Sequence, residues 1–135
     1  MECLFCQIGA GKIPCHKVYE DAGTLAFLDI HPQVQGHTVI IPKQHGETVF
    51  DVSEEVLQNV MVATKKVMEL IQKVLHPQGF NAGWNHGKAG GQAVGHLHLH
   101  VLPRYTGDGG GSMHSIVRNP GKMSVEEVAT LFSKR

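Results

Sequence analysis

The stretch Gly95-His96-Leu97-His98-Leu99-His100-Val101-Leu102-Pro103 decides how this chain is read. Histidine alternates with an aliphatic residue, a period of two that predicts a half-buried β-strand. The three imidazoles then share one face, while Leu97, Leu99 and Val101 face a core. Successive rings stand ~6.6–7 Å apart along such a strand. A phosphate can bridge two rings at that spacing, whereas a single ion needs further ligands from elsewhere. Ordered alternation with Leu and Val sets the stretch apart from a tag, which reads His-His-His. His98, between Leu97 and Leu99, is expected to be the least solvated of the three.

Composition narrows the classes open to the chain. Its 135 residues suit one domain, 1–135, with a real core. A hydrophobic content of 41% with 18% charged residues is that of a soluble globular protein. Formal net charge is zero, so no basic field invites nucleic acid or an anionic membrane. Ten histidines shift the expectation toward phosphate chemistry, metal binding or both. No segment has the ~18 apolar residues of a membrane span, and Met1-Glu2-Cys3-Leu4-Phe5-Cys6 does not read as a signal peptide. Three cysteines, two of them in Cys3-x-x-Cys6, fit a reduced, cytoplasmic protein better than a disulfide scaffold.

Around the histidine strand the sequence predicts a short helix over 3–9, then a hairpin of strands 16–20 and 24–29. A loop over 30–36 leads to a strand at 37–41 that Pro42 ends. Ser53 caps a long helix running to about Leu75, where His76-Pro77 stops it. Val56, Val60, Ala63, Val67, Leu70 and Val74 form one apolar stripe on it; Leu57, Met61, Met68 and Leu75 form another. So wide a face serves either burial or pairing with a second copy in a homodimer. A strand at 80–85, a glycine-rich connection over 86–93 and the histidine strand follow. Gly107–Ser112 has the composition of a mobile loop, and Ser124-x-x-Glu127 is a capping box opening a helix to about Ser133. The whole is an α+β fold with an antiparallel sheet.

His98 is the candidate nucleophile, provided its other ring nitrogen donates to a fixed acceptor. His100 can hold the charge of a phosphoryl group, and the 90–95 segment can add backbone N–H groups as an anion nest. Lys88 precedes Ala89, so Gly87-Lys88 is not a phosphate loop of the Walker type. Cys3-x-x-Cys6 can be redox-active, metal-binding or inert. A structural zinc would need two histidines besides, for which His45 and His96 are the available donors. His16, His31, His76, His86 and His114 read as solvated, Cys15 as a bystander, and Trp84 and Phe27 as core.

His96-Leu97-His98-Leu99-His100-Val101-Leu102 resembles the His-φ-His-φ-His-φ-φ motif, φ being hydrophobic, that names the histidine triad (HIT) superfamily. Cys3-Leu4-Phe5-Cys6, Val18-Tyr19-Glu20-Asp21, Ala26-Phe27-Leu28-Asp29-Ile30, Gly36-His37-Thr38-Val39-Ile40-Ile41-Pro42-Lys43, Gly90-Gly91-Gln92 and Pro103-Arg104-Tyr105 look like its bacterial-type Hint branch. The resemblance implies a homodimer whose subunit is a five-stranded antiparallel sheet with one long helix and short terminal helices. It implies a purine nucleotide such as AMP as ligand and hydrolysis of nucleoside 5′-phosphoramidates. His98 would be the nucleophile, forming a nucleotidyl-histidine, with His37 hydrogen-bonded to it and the His96 carbonyl fixing its tautomer. His100, Asn85, Gln92 and the backbone of Ala93 and Val94 match phosphate contacts, and Asp29 a ribose ligand. Leu4, Phe5, Ile8, Phe27 and Ile30 match the base pocket. Cys3, Cys6, His45 and His96 match a structural zinc site, with no metal needed at the chemical step. Ala93, where many relatives have Ser or Thr, and Gly95, where a larger residue is common, bear on substrate choice. The rival activities are dinucleoside polyphosphate hydrolysis and nucleotide binding with vestigial catalysis.

Overall fold

The computed structural model describes residues 3–134. Strands β1 (Lys17–Glu20), β2 (Thr24–Leu28), β3 (Thr38–Pro42), β4 (Gly79–Gly83) and β5 (Leu99–Arg104) form one antiparallel sheet in the order β1-β2-β3-β5-β4. Helix α1 (Leu4–Gly9) precedes the sheet, α2 (Glu54–Leu75) joins β3 to β4, and α3 (Val125–Ser133) follows β5. The α+β class and the five antiparallel strands expected from the sequence are what the chain forms.

Short polar signals set the element ends. Asp21 closes the β1–β2 turn by accepting from the N–H groups of Gly23 and Thr24 at 3.0 and 2.9 Å, an Asx-type turn. The Ser53 hydroxyl accepts from Val56 N–H at the start of α2, and His76 ends that helix in the left-handed conformation at φ 53°. Ser124 and Glu127 form the reciprocal capping box of α3.

Alternation along the strands divides the core between the two faces of the sheet. Ala26, Ile40, Leu99 and Val101 pack against Val60, Ala63, Val67 and Ile71 of α2. Leu25, Phe27, Val39 and Ile41 pack on the opposite face against Phe5 and Ile8 of α1. Each Val, Leu, Ile or Phe among them contributes ~1.5–3 kcal/mol when fully buried. Because Val39 lies opposite His100, the histidines fall on the α1 face.

Several expectations are corrected here. The β5 ladder begins at Leu99, not at the start of the histidine run. The register pairs Ile40 with Leu99, which would set Pro42 opposite Leu97. Pro42 has no N–H to give, and its carbonyl accepts from the His96 ring instead. The run is also not half-buried: α1 covers the histidine side, His96 is 0% and His98 6% exposed, and His96 is therefore the least solvated ring. On α2 the buried stripe passes through Val60, Ala63, Thr64, Val67 and Ile71, while Leu70 and Val74 stay exposed beside Met61 and Val62. Trp84, expected in the core, lies beyond β4 and is 45% exposed.

Candidate active site and metal centre

The three triad histidines differ in what their ring nitrogens meet. His98 Nδ1 lies 2.7 Å from the carbonyl of His96. A carbonyl only accepts, so Nδ1 carries the proton and Nε2 of the neutral ring keeps its lone pair. Phe5 stands edge-on to the His98 ring with centroids 5.1 Å apart, and Phe5 in turn meets Phe27 at 5.6 Å. The candidate nucleophile is thus held by one hydrogen bond and by the packing of α1.

His37 is bonded to His100, not to His98 as the resemblance suggested. The Gln33 N–H donates to His37 Nδ1 at 3.2 Å, and His37 Nε2 lies 2.9 Å from His100 Nδ1. Taken in order, these contacts fix both tautomers. His37 Nδ1 must accept, so its Nε2–H donates to His100 Nδ1 and leaves the His100 proton on Nε2. Asp29 Oδ2 stands 3.6 Å from His37 Nε2, while Asp29 Oδ1 accepts from His31 N–H at 2.8 Å. Burial pushes His37 below the ordinary imidazole value against the opposing pull of Asp29. Burial, with His98 and His37 nearby, brings His100 down to about 4. His100 is therefore a neutral N–H donor at neutral pH. The rings of His98 and His100 are 5.0 Å apart, within reach of one phosphoryl group.

His96 turns the other way. Its Nε2–H donates to the Pro42 carbonyl at 2.8 Å, which leaves the Nδ1 lone pair for a second group of side chains. Cys3 Sγ, Cys6 Sγ, His45 Nδ1 and His96 Nδ1 all lie within 4.8 Å of one another. A tetrahedral ion bound at ~2.3 Å to sulfur and ~2.0 Å to nitrogen puts N···N at ~3.3 Å and S···N at ~3.5 Å. His45 and His96 are 3.2 Å apart; Cys3 to His96 is 3.3, Cys6 to His45 3.3 and Cys6 to His96 3.6 Å. The donor set fits, and the bond from His96 to Pro42 is the kind that orients an imidazole ligand. These four residues can hold a metal ion, joining α1, the segment after β3 and the triad.

The remaining expected contacts divide. Phe5, Ile8 and Phe27 are buried together, whereas Leu4 and Ile30 of the expected base pocket are 48% and 75% exposed. Asn85 and Ala93 are exposed and Val94 half-buried at the rim. The Gln92 side chain does not face outward as a phosphate ligand would. Its amide accepts from Gly87 N–H at 2.9 Å and donates to the carbonyls of Glu47 and Val94 at 2.7 and 3.0 Å. Gln92 therefore ties the glycine-rich loop down. The N–H groups of Gly90, Gly91 and Gln92 are bonded within that turn, so of the 90–95 segment only Ala93 onward can donate to an anion. The Gln33 contact was not anticipated, because a backbone N–H in a loop carries no residue-type signal.

Comparison with known proteins agrees with this geometry. The chain is 39% identical over 104 residues to the adenosine 5′-monophosphoramidase of Schizosaccharomyces pombe, covering 77% of this chain and 75% of that one. A crystal structure of a HIT family protein from Bacillus anthracis matches with a TM-score of 0.86 at 37% identity, over 98% of this chain and 94% of the other. A zinc-bound histidine triad family protein from Mycobacterium smegmatis matches with a TM-score of 0.77 at 35% identity, over 100% and 99%. A family model described as HIT domain matches residues 10–107, and the chain belongs to the histidine triad family.

Proposed function

We propose that the protein hydrolyses purine nucleoside 5′-phosphoramidates, of the adenosine 5′-monophosphoramidase type, through a covalent nucleotidyl-His98. The observation that carries this reading is the 2.7 Å bond from His98 Nδ1 to the His96 carbonyl, which leaves Nε2 as a neutral nucleophile. His98 Nε2 attacks the α-phosphorus in line. The phosphorus–nitrogen bond breaks, and the amine departs with its electron pair and a proton taken from solvent, leaving a cationic nucleotidyl-imidazole whose Nδ1–H stays on the His96 carbonyl. Water then attacks phosphorus, the bond from phosphorus to Nε2 breaks with its electron pair returning to the ring, and the water's proton goes to solvent, releasing the nucleoside monophosphate and restoring neutral His98. His100 Nε2–H donates to a non-bridging oxygen as charge gathers there. Asp29, on the same side as His37, is the ribose ligand of this reading, and Phe27 with Ile8 backs the base.

The ion suited to two thiolates and two imidazoles is zinc. It would be held by Cys3, Cys6, His45 and His96, outside the reacting groups, and supply structure rather than chemistry. The reading also includes a cytoplasmic setting and a homodimer that covers Met61, Val62, Leu70 and Val74 of α2. Light scattering at micromolar concentrations tests the dimer: the expected mass is twice the 14.7 kDa of the chain, and that single mass would refute it.

The activity is tested by comparing kcat/KM for an adenosine phosphoramidate with that for a diadenosine polyphosphate. The phosphoramidate is expected to be the better substrate. A preference for the polyphosphate would replace this reading with the related hydrolase. Equal, background-level turnover of both by wild type and His98→Asn would leave a nucleotide-binding protein.

A further inference from the structure

Cys3-x-x-Cys6 has a capacity besides holding an ion, the redox chemistry open to two neighbouring thiols. Cys3 is the N-cap of α1, in extended backbone at φ −74° and ψ 128°. Its sulfur folds back over the first turn and accepts from the Cys6 N–H at 3.4 Å. Both cysteines are free and half-buried, and their sulfurs lie within 4.8 Å of each other. A tetrahedral ion holds two such sulfurs ~3.8 Å apart, whereas a disulfide needs ~2.05 Å. One pair of side chains cannot satisfy both at once.

The group is covered on one side and open on the other. His45 is exposed beside Cys6, with Nδ1 3.3 Å from its sulfur. His96, as close to the sulfur of Cys3, is 0% exposed. A small oxidant therefore reaches Cys6 before Cys3, and Cys3 is placed to resolve what forms there. Cys15 packs at the edge of the α1 core, outside the four-residue group. Phe5, between the two cysteines in sequence, meets the rings of both His96 and His98, with centroids 6.0 and 5.1 Å away. A rearranged first turn of α1 is thus felt at the nucleophile.

We infer that Cys3 and Cys6 are a peroxide-responsive pair whose oxidation releases the ion and slackens the hold on His98. The inference rests on the zinc reading above, and its effect on turnover on the hydrolase reading. With the ion bound, both sulfurs are thiolates at neutral pH. Cys6 Sγ attacks one oxygen of hydrogen peroxide; a sulfur–oxygen bond forms, the oxygen–oxygen bond breaks, and the departing hydroxide takes a proton from solvent. Cys3 Sγ then attacks the Cys6 sulfur. The sulfur–sulfur bond forms, the sulfur–oxygen bond breaks, and a second hydroxide leaves and is protonated in the same way. The cysteines have lost two electrons, and the peroxide has become two molecules of water. His45 and His96 are then half of a four-ligand set, and the ion departs. His96 keeps its bond to Pro42 but loses the partner of its Nδ1. A thiol reductant reverses the step, as suits the transient disulfides of a reducing compartment.

The test uses the full chain loaded with zinc and treated with hydrogen peroxide. A chromogenic chelator reads the zinc released, and peptide mass spectrometry reads the cysteines. The expected result is zinc release in step with a peptide that carries both Cys3 and Cys6 and is lighter by two hydrogens. Turnover of an adenosine phosphoramidate is expected to fall about tenfold or more, and a dithiol reductant with zinc to restore it. Cys15→Ser is expected to respond as the wild type does. Zinc retained under peroxide, sulfur oxidised without a Cys3–Cys6 disulfide, or turnover unchanged after the zinc has left would overturn the switch while leaving the zinc reading standing. A chain that takes up no zinc would overturn both. Release and disulfide are read without substrate, so an inactive wild type would refute the hydrolase reading alone, and zinc release would still decide the switch.

Discussion

His98 Nδ1–H donates to the carbonyl of the residue two before it, so in the proposed reaction the attacking nitrogen, Nε2, is chosen by backbone geometry. Its neighbour His100 is set from farther away, through the chain of contacts from Gln33 N–H to His37 and on to His100 Nδ1. His37→Phe keeps the bulk and removes the donor, and His100 is then free to turn its lone pair toward the phosphoryl oxygens. The expected result is a fall in kcat of about 10²-fold or more with KM little changed, read from steady-state kinetics. A second expectation follows from burial. His37 and His100, the latter at about 4, are held below the ~6.5 of an unfolded histidine. Between those values the unfolded chain binds more protons, so stability is fully present above about pH 6.5 and declines as the pH falls toward 4. Melting at pH 7 and pH 5 should show a lower midpoint at pH 5, with a smaller difference in His100→Gln.

The elements bring these residues together through a few tight places. Gly36, at φ +90°, delivers the chain into β3 one residue before His37. A Cβ there would stand 2.5 Å from Leu75 Cδ1 and 3.2 Å from Pro103 Cγ, so Gly36→Ala combines backbone strain with overpacking. It should cost about 1–3 kcal/mol in urea unfolding. Much at this level is legible in the sequence: the alternation at 96–101 places Leu99 and Val101 on the α2 side, and Ser53, Asp21 and Ser124 mark their turns and caps. What is not legible depends on partners remote in the chain. Nothing local to Leu97 says that Pro42 would face it without an N–H. Nor does the α2 pattern alone distinguish Ile71, which meets the sheet, from Leu70 and Val74, which do not. The Gln92 amide, engaged with Gly87, Glu47 and Val94, shows the same dependence on tertiary placement.

Across the whole molecule, His96 stands where the metal group and the reacting group meet. Its ring faces Cys3, Cys6 and His45 while its carbonyl holds His98, so loss of a bound ion would loosen α1 and the His98 anchor together. Stripping the ion with a chelator, or Cys6→Ser, is expected to lower the melting temperature by about 5 °C or more, with zinc restoring the stripped wild type but not the variant. The proposed function turns on one step, in which His98 becomes covalently nucleotidylated during turnover. The direct measurement is intact-protein and peptide mass spectrometry after rapid acid-free quenching of the enzyme with an adenosine phosphoramidate. The account predicts one adenylyl group on the peptide carrying His98, absent in His98→Asn. Hydrolysis at the full wild-type rate with no adenylylated peptide, or with the group on another residue, would contradict it.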